Sequence, residues 1–360
     1  MKKRIGIINS GGDCPALNTV IDAVVKTLDS EYEVIGFYRG FEGLLTGNYI
    51  SLDRNYTSQH RWIGGTILKT TNKGNFPAKR SGGGKFSKKE LEIIAKAFET
   101  YQKLELECLI VLGGDGSLFT AYSLQQFGFN MVGVPKSIDN DLSVTDFTFG
   151  FHTAVETAND AINRLHTTAA SHDRVMILEV MGRSAGWIAL YSGIAGGANM
   201  ILIPEIPFSY KKIKKFLEKR HENLNTSTVI VVAEAANSVE NGDLKLDFST
   251  SNQEKGITET ISQKIKDFVN KNTNLEARSV NMDHIIRGGS PIAFDKILAT
   301  QMGAFAGLLA IEKKYGTMVA YKNNQIISVN LGDGVLAAKN VDPNSQIVKL
   351  AREIGTSFGD

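Results

Sequence analysis

The sequence predicts an α/β protein made of two three-layer α/β domains, each a mostly parallel sheet between two layers of helices. Short runs rich in β-branched residues alternate with longer helical stretches along nearly the whole chain. The strand candidates are apolar throughout, as expected of parallel strands that are buried on both faces. A length of 360 residues is enough for two domains of ordinary size.

The predicted elements alternate from one end of the chain to the other. Strands are predicted at 4–9, 33–37, 107–112, 131–134, 174–180, 200–203, 228–233 and 278–284. Helices are predicted at 16–28, 88–104, 118–127, 151–170, 185–195, 210–222, 252–271 and 292–314. Ser87 followed by Lys88-Lys89-Glu90 fits a capping box, which predicts that a helix begins there.

Composition and charge exclude several classes of protein. A net charge of +2 gives no reason to expect nucleic acid or a membrane surface as a partner. The apolar run after Arg4 is too short for a signal peptide or a membrane span. The two cysteines, Cys14 and Cys108, argue against a disulfide scaffold and fit a reducing cytoplasm.

Two glycine-rich loops predict phosphate binding. Gly11-Gly12-Asp13 follows the first predicted strand, and Gly113-Gly114-Asp115-Gly116-Ser117 follows the third. Glycines let backbone N–H groups approach phosphate oxygens, and a helix N-terminus adds a favourable dipole. Asp115 is placed to hold Mg²⁺ on a polyphosphate. The alternatives are a ligand-free turn for the first loop and an Asx turn for the second.

Two carboxylates follow the strand predicted at 131–134. Asp139 and Asp141 lie in the loop 135–141, at the sheet edge where open α/β sheets bind ligands. One carboxylate of such a pair can accept a hydroxyl proton while the other positions metal or water. A solvated acidic turn is the alternative. Lys136 either neutralises phosphate or pairs with the aspartates.

Cations follow two further strands. Arg183 comes after the strand at 174–180, where an arginine can stabilise a transferring phosphoryl group. Arg278, His284 and Arg287 surround the last predicted strand and form a plausible phosphate-anchoring set. A surface arginine and a packed structural histidine are the alternatives. Together, the loops predict a site for phosphoryl chemistry.

The chain resembles the phosphofructokinase family over nearly its whole length. The resemblance rests on ordered motifs: Gly-Gly-Asp-Cys-Pro at 11–15, Gly-Gly-Asp-Gly-Ser at 113–117, Pro-Lys-Ser-Ile-Asp-Asn-Asp at 135–141, Glu-Val-Met-Gly-Arg at 179–183 and His-Ile-Ile-Arg-Gly-Gly-Ser-Pro at 284–291. The block Gly-Ile-Ala-Gly-Gly-Ala-Asn at 193–199 is most similar to the branch that contains both ATP- and pyrophosphate-dependent members.

The resemblance implies a role for each matching residue. Asp139 would be the general base that deprotonates the sugar 1-hydroxyl, while Arg183 and the Gly11 backbone would stabilise the transferring phosphoryl group. ATP and Mg²⁺ would be bound by Gly11, Asn72, Lys73, Gly114, Asp115, Gly116 and Ser117, with the metal on Asp115. Fructose 6-phosphate would be bound by Ser137, Asp141, Met181, Gly182, Glu234, His284 and Arg287, joined by Arg174 and Arg278 of a neighbouring subunit.

The resemblance also implies the domain plan. Residues 1–150 plus about 286–336 would bind the phosphoryl donor, and residues 151–285 plus about 337–360 would bind the sugar phosphate. The active site would lie in the cleft between the two domains. Because sites would be shared between subunits, the resemblance implies a cytoplasmic homo-oligomer, either a dimer or a tetramer.

The implied reaction transfers the γ-phosphoryl of Mg·ATP to fructose 6-phosphate, giving fructose 1,6-bisphosphate in glycolysis. Gly116 favours ATP, because pyrophosphate users typically carry an acidic residue there, whereas Lys136 is the residue that pyrophosphate users carry. The family usually has an arginine near position 72, where this chain reads Asn72-Lys73. The alternatives are a pyrophosphate-dependent phosphotransferase, a non-catalytic sugar-phosphate-binding regulatory subunit, and a kinase of the NAD or lipid type.

Overall fold

The structure of the chain is a computed structural model that describes residues 3–71, 74–77, 86–223, 226–240, 243–245, 259–335 and 337–360. The chain divides into two compact units. Unit 1 consists of Met1–His152 and Arg287–Ala338, and unit 2 of Thr153–Ile286 and Lys339–Asp360. Each unit has its own sheet and its own core.

Unit 1 contains a seven-stranded sheet among its described residues. Numbered along the whole chain, its strands are β1 (Lys3–Asn9), β2 (Tyr32–Phe37), β3 (Tyr49–Leu52), β4 (Leu106–Gly113), β5 (Met131–Pro135), β12 (Thr317–Lys322) and β13 (Gln325–Asn330). The order across the sheet is β13-β12-β5-β4-β1-β2-β3. The five central strands run parallel, and β3 and β13 are antiparallel strands at the two edges.

The helices of unit 1 connect and cover these strands. They are α1 (Leu17–Leu28), α2 (Phe41–Thr46), α3 (Arg54–His60), α4 (Lys88–Lys103), α5 (Asp115–Leu124), α10 (Ala293–Ile311) and α11 (Leu331–Val335), with a 3₁₀ turn at Gln125–Phe127. The predicted capping box is confirmed, because Ser87 and Glu90 each bond the other's backbone N–H.

The chain connections on the two sides of β1 open a crevice at one edge of the unit 1 sheet. From β1 the chain passes to β2 on one side, whereas β4 pairs with β1 on the other side. Chain connections therefore diverge between β1 and β4, and such a switch point opens a crevice at the carboxyl ends of the strands. The loops after β1, β4 and β5 all begin at this edge.

Among the described residues, α10 is the one helix long and apolar enough to cross a membrane by length and composition. In the structure it packs along α1. A Cβ added to Gly303 would lie 2.6 Å from the Val20 carbonyl oxygen, and one added to Gly307 would lie 2.8 Å from Thr27 Cγ2. The glycines thus permit close helix–helix contact within the core of unit 1.

Among its described residues, unit 2 contains a sheet of four parallel strands, which lie in the order Ala277–Asn281, Val175–Val180, Thr228–Ala233 and Met200–Leu202 across the sheet. Its strands are β6 (Val175–Val180), β7 (Met200–Leu202), β8 (Thr228–Ala233) and β11 (Ala277–Asn281), with a separate hairpin of β9 (Ser238–Glu240) and β10 (Asp243–Lys245). Its helices are α6 (Phe151–His172), which begins in unit 1, α7 (Trp187–Ala195), α8 (Tyr210–Glu222), α9 (Ile261–Asn272) and α12 (Gln346–Glu353). A 3₁₀ turn at Asp283–Arg287 lies at the end of one segment of unit 2, and its last residue, Arg287, belongs to unit 1.

Three predicted elements differ most from the structure. The helix predicted at 118–127 is observed as α5, Asp115–Leu124, followed by the 3₁₀ turn Gln125–Phe127. The strand predicted at 278–284 ends at Asn281, because the Asn281 side chain accepts a hydrogen bond from the Asp283 N–H and Asp283 turns to φ +39°. The helix predicted at 252–271 is observed as Ile261–Asn272, where Thr260 forms a capping box with Gln263. The first part of that prediction, 252–258, lies outside the described residues.

Candidate active site

The loop after β1 brings its backbone against polar side chains of unit 1. Gly11 has φ +84°, and a Cβ added to it would lie 3.2 Å from Ser117 Oγ and 3.4 Å from Lys136 Nζ. The Thr70 hydroxyl donates to the Gly11 carbonyl. Because a side chain at position 11 would be both strained and crowded, glycine is required for this backbone to face Ser117 and Lys136.

Asp115 begins helix α5, directly after Gly114. The exposed N–H groups of a first helical turn attract anions, and this turn carries Asp115, Gly116 and Ser117 at the carboxyl end of β4. These residues are partly accessible. A carboxylate oxygen here suits Mg²⁺, which in proteins commonly takes one or two carboxylates and completes its shell with water and phosphate oxygens.

The loop after β5 holds the two carboxylates in a buried, hydrogen-bonded turn. Asp139 and Asp141 are only 4% and 9% exposed, which excludes the alternative of a solvated acidic turn. The Ser137 hydroxyl donates to Asp141 Oδ1 over 3.1 Å and accepts the Asp139 N–H over 3.1 Å. Asn140 has φ +53°, and its side chain accepts the Thr148 N–H. The turn is therefore preorganised.

Lys136 is buried beside the same turn. It pairs with Phe149 in an isolated parallel bridge and is 5% exposed. Burial lowers the pKa of its ammonium group, and the positive charge of Arg287 also lowers it, whereas the charges of Asp139 and Asp141 act in the opposite direction. Because the pKa is lowered on balance, the folded protein holds this charge at a cost.

We expect Lys136→Met to raise the melting temperature at neutral pH by a few degrees, on the order of 2–4 °C. The unfolded lysine titrates near 10.5 and the folded one lower, so stability falls as the pH drops between the two pKa values and stays reduced below them. Because Lys136→Met removes the buried ammonium charge, the variant should not lose this stability at neutral pH. Melting curves at pH 7 and above pH 10.5, with the exposed Lys96→Met as control, test this. An equal effect of both variants at both pH values would contradict it.

The carboxyl edge of the unit 2 sheet carries a second set of predicted residues. Met181, Gly182 and Arg183 follow β6, and Glu234 follows β8. Glu234 Oε1 accepts the N–H groups of Gly182 and Arg183 over 3.1 and 2.8 Å. Arg183 has φ +51° and an exposed side chain. Glu234 thus holds the backbone conformation that presents the arginine.

His284 lies in the 3₁₀ turn Asp283–Arg287, beyond the end of β11. Its side chain is exposed, and Nδ1 lies 2.5 Å from Asp283 Oδ1. This carboxylate orients the ring and leaves Nε2 directed elsewhere. His284 is therefore available to an anion at the same strand edge as Met181.

Arg174 and Arg278 do not lie at that edge. Arg174 precedes β6, and Arg278 is the second residue of β11, so both are near the amino ends of these parallel strands. Both guanidinium groups bind Glu276, which lowers the pKa of that carboxylate mainly through the hydrogen bond from Arg174. Since β6 spans six residues, roughly 20 Å separate Arg174 from Met181.

Arg287 contacts the loop after β1 rather than His284. Its Nη1 donates to the Asp13 carbonyl oxygen over 3.1 Å. The same atom lies 2.5 Å from the position of a Cβ added to Gly12. Arg287 belongs to unit 1, whereas His284 belongs to unit 2. The two residues that the sequence groups in one cluster are thus divided between the two units.

Some predicted residues lie outside the described residues, and some positioning residues have no signal in the sequence. Asn72 and Lys73 are outside the described ranges. Glu205 is not predicted; its half-buried carboxylate accepts the Gly186 and Val341 N–H groups, and partial burial raises its pKa. Glu276 was also missed, although its position two residues before Arg278 is a weak signal.

Glycine-lined loops and buried carboxylates at one sheet edge are features of a phosphotransferase. The chain matches the Phosphofructokinase family over residues 4–309. It belongs to the phosphofructokinase family. It is 44% identical over 361 residues to the ATP-dependent 6-phosphofructokinase of Chloroflexus aurantiacus, covering 100% of this chain and 98% of that protein.

Two further comparisons bear on the donor and the fold. The chain is 40% identical over 344 residues to the pyrophosphate–fructose 6-phosphate 1-phosphotransferase of Amycolatopsis methanolica, covering 94% of this chain and 96% of that protein. The solved structure of phosphofructokinase from Saccharomyces cerevisiae gives a TM-score of 0.78 at 29% identity. It covers 93% of this chain and 45% of that one, so this chain spans less than half of the yeast polypeptide.

Proposed function

We propose that the protein is a 6-phosphofructokinase that transfers the γ-phosphoryl group of ATP to the 1-hydroxyl of fructose 6-phosphate, a step of glycolysis. The observation that carries the proposal is the meeting, at one edge of the unit 1 sheet, of the Gly11–Gly12 loop, Asp115 and the buried Asp139 turn. Full-length similarity to the Chloroflexus enzyme supports the same conclusion.

Asp139 is the proposed general base. Its carboxylate accepts the proton of the sugar 1-hydroxyl as the oxygen attacks the γ-phosphorus, and ADP leaves with the electrons of the broken P–O bond. The Ser137 hydroxyl fixes the turn by binding both the Asp139 N–H and Asp141. Placing base and hydroxyl in one geometry removes orientational entropy from the reaction step.

The remaining residues stabilise charge. The Gly11 backbone and Arg183 are proposed to neutralise the transferring phosphoryl oxygens, where positive charge lowers the barrier most. By resemblance, Asp115 together with Asp141 would hold Mg²⁺; when bound, the ion would neutralise the phosphate oxygens of the donor. Gly114, Gly116 and Ser117 complete the donor set, and Asn72 and Lys73 are assigned to it by resemblance alone.

The proposed binding site for the sugar phosphate consists mainly of residues at the carboxyl edge of the unit 2 sheet. Met181, Gly182 and Glu234 would contact the sugar, and His284 with Arg287 would bind its 6-phosphate. Arg174 and Arg278 lie at the opposite strand edge of unit 2 from Met181. That separation supports the proposal that they serve the site of a neighbouring subunit in a homo-oligomer.

Shared sites predict complementation between two inactive variants. Arg174→Ala and His284→Ala should each lose most of their activity at low fructose 6-phosphate. A hybrid dimer of the two chains keeps one complete site of two, so purified hybrids should recover about half of wild-type activity, and the unsorted co-expressed mixture about a quarter. Assays of purified hybrids against mixtures of separately purified variants measure this. Hybrids as inactive as the parent variants would count against shared sites.

The phosphoryl donor is the finer part of the proposal. Gly116 favours ATP, since it leaves room and adds no charge, while Lys136 and the Amycolatopsis relative keep pyrophosphate as the second candidate. Assaying purified protein with Mg·ATP and with magnesium pyrophosphate, each with fructose 6-phosphate, tests the choice. Transfer from pyrophosphate alone would overturn the ATP assignment, and transfer from neither would favour a regulatory subunit. A cytoplasmic location is proposed with this function.

A further inference from the structure

Strand β6 carries a single charged residue, Glu179, in an otherwise apolar sequence. Side chains alternate between the two faces of a strand, so Val175, Ile177 and Glu179 share one face. Val175 and Ile177 belong to the hydrophobic core of unit 2, and the Glu179 carboxylate continues the same row with only 5% exposure. A buried carboxylate is tolerated where N–H groups satisfy its oxygens, so its partners indicate what it holds in place.

The two carboxylate oxygens of Glu179 accept hydrogen bonds from two different elements. Oε2 accepts the Ser262 N–H over 2.8 Å, in the first turn of α9, where the helix dipole favours a negative charge. Oε1 accepts the side-chain amide of Asn281, the last residue of β11, over 3.3 Å. The Glu179 carbonyl oxygen also accepts the Met282 N–H over 3.0 Å. Glu179 therefore joins the start of α9 to the end of β11.

From Asn281 the hydrogen bonds continue to His284. Glu179 orients the Asn281 amide, because Nδ2 donates to the carboxylate and Oδ1 then faces the Asp283 N–H, which it accepts over 2.9 Å. Asp283 has φ +39°, an uncommon conformation for a residue with a side chain. Its Oδ1 lies 2.5 Å from His284 Nδ1. The Glu179 carboxylate thus fixes, through one amide, the turn that carries the histidine.

We infer that Glu179 is a positioning residue for the sugar phosphate site, which acts through Asn281 and Asp283 on the orientation of His284. The inference rests on the proposed function, in which His284 binds the 6-phosphate of the sugar. Glu179 itself is nearly inaccessible to solvent, and its oxygens are bonded to protein N–H groups. A carboxylate is required there rather than an amide, because both of its partners are donors.

Glu179→Gln tests the need for two accepting oxygens. The new amide nitrogen cannot accept, and the Asn281 amide can bond it only by turning over, which presents Nδ2 to the Asp283 N–H and releases the turn. KM for fructose 6-phosphate should rise about 3- to 10-fold, the usual effect of one hydrogen bond. The values of kcat and of KM for ATP should change about 2-fold or less. An unchanged KM for the sugar would overturn the inference.

A reciprocal swap, Glu179→Gln together with Asn281→Asp, restores every bond with the same total charge. In this double variant the new amide at position 179 donates to the new carboxylate at position 281, which also accepts the Asp283 N–H. Asn281→Asp alone places two carboxylates together and should itself raise KM for the sugar. The double variant should return that KM to within about 2-fold of wild type, since residues in contact are not additive. Summed defects of the two parents would refute the inference.

A stability control separates positioning from a general loss of folding. Val269→Ala removes two methyl groups from the buried face of α9 and should lower the melting temperature. Because Val269 takes no part in the bonds from Glu179 to His284, KM for fructose 6-phosphate should stay within about 2-fold of wild type. A rise as large as that of Glu179→Gln would show that lost stability is the cause, and would count against positioning.

Amide hydrogen exchange keeps the inference separate from the proposed function. Without substrates, the Met282 and Asp283 N–H groups should exchange about 3- to 10-fold faster in Glu179→Gln than in wild type, and at the wild-type rate in the double variant. Unchanged exchange in Glu179→Gln would refute the positioning role whatever the enzyme phosphorylates. Failure of wild type to phosphorylate fructose 6-phosphate would instead refute only the proposed function.

Discussion

Replacing Asp139 by asparagine should lower kcat by about 10²- to 10⁴-fold, the usual contribution of a general base. The substitution keeps the size of the side chain and removes its ability to accept the hydroxyl proton. Asp139 is 4% exposed, and its backbone N–H is fixed by Ser137, so the rest of the turn should stay in place. KM for fructose 6-phosphate should therefore change only about 2- to 3-fold.

The control is Asp146→Asn, the same substitution at another aspartate of the loop between β5 and α6. Asp146 Oδ2 accepts the Asn323 N–H over 2.8 Å, and an amide oxygen can do the same. This variant should keep wild-type kcat. Melting temperatures of both variants should not fall, because neither change removes buried apolar contacts. A kcat for Asp139→Asn within a factor of about 3 of wild type would disprove the assigned base.

The α/β class and four of the five central strands of the unit 1 sheet, β1, β2, β4 and β5, were predictable from local sequence. The run at 107–112 is observed as β4, one residue longer at each end, and the run at 131–134 as β5, one residue longer at its C-terminal end. Central parallel strands are apolar on both faces, so composition alone identifies them. The central strand β12 and the edge strands β3 and β13 are not predicted. Most residues of the two edge strands are at least partly exposed, and these strands carry no continuous apolar run.

From the sequence, the location of a candidate site residue was predictable only where the residue lies in the loop that directly follows a predicted strand. Asp115 and Asp139 follow β4 and β5 directly, so adjacency of the strands places them at one edge. Arg287 was grouped with His284 because they are neighbours in sequence, yet it contacts Gly12 and Asp13. Such a contact depends on tertiary packing between distant segments, which no local pattern encodes.

The positions of Arg174 and Arg278 also depend on tertiary structure that local sequence does not give. The sequence indicates cations near two strands, but the direction of each strand decides which sheet edge they occupy. Both lie at the amino edge, bound to Glu276. The neighbouring-subunit role is implied by the family resemblance and stays a prediction; the strand direction shows that both arginines lie at the opposite edge of the unit 2 sheet from Met181.

Gly116→Asp should convert the donor preference, and it is the second large effect that we expect. Gly116 is the second residue of α5, where a carboxylate favours the helix dipole, so the variant should fold at least as well as wild type. Its charge would face the α-phosphate of ATP in the proposed donor site. Two like charges about 4 Å apart repel by about 4 kcal/mol at an effective dielectric of about 20.

That repulsion predicts a fall in kcat/KM for ATP of about 10²- to 10³-fold, since 1.4 kcal/mol corresponds to tenfold and solvent screens part of the charge. Pyrophosphate has no third phosphate to repel, so activity with it should be unchanged or higher. Gly116→Ala adds a methyl group without charge and should lose far less activity with ATP. Parallel assays of the three proteins with both donors measure the switch. Equal losses in Gly116→Ala and Gly116→Asp would show that space, and not charge, selects the donor at this position.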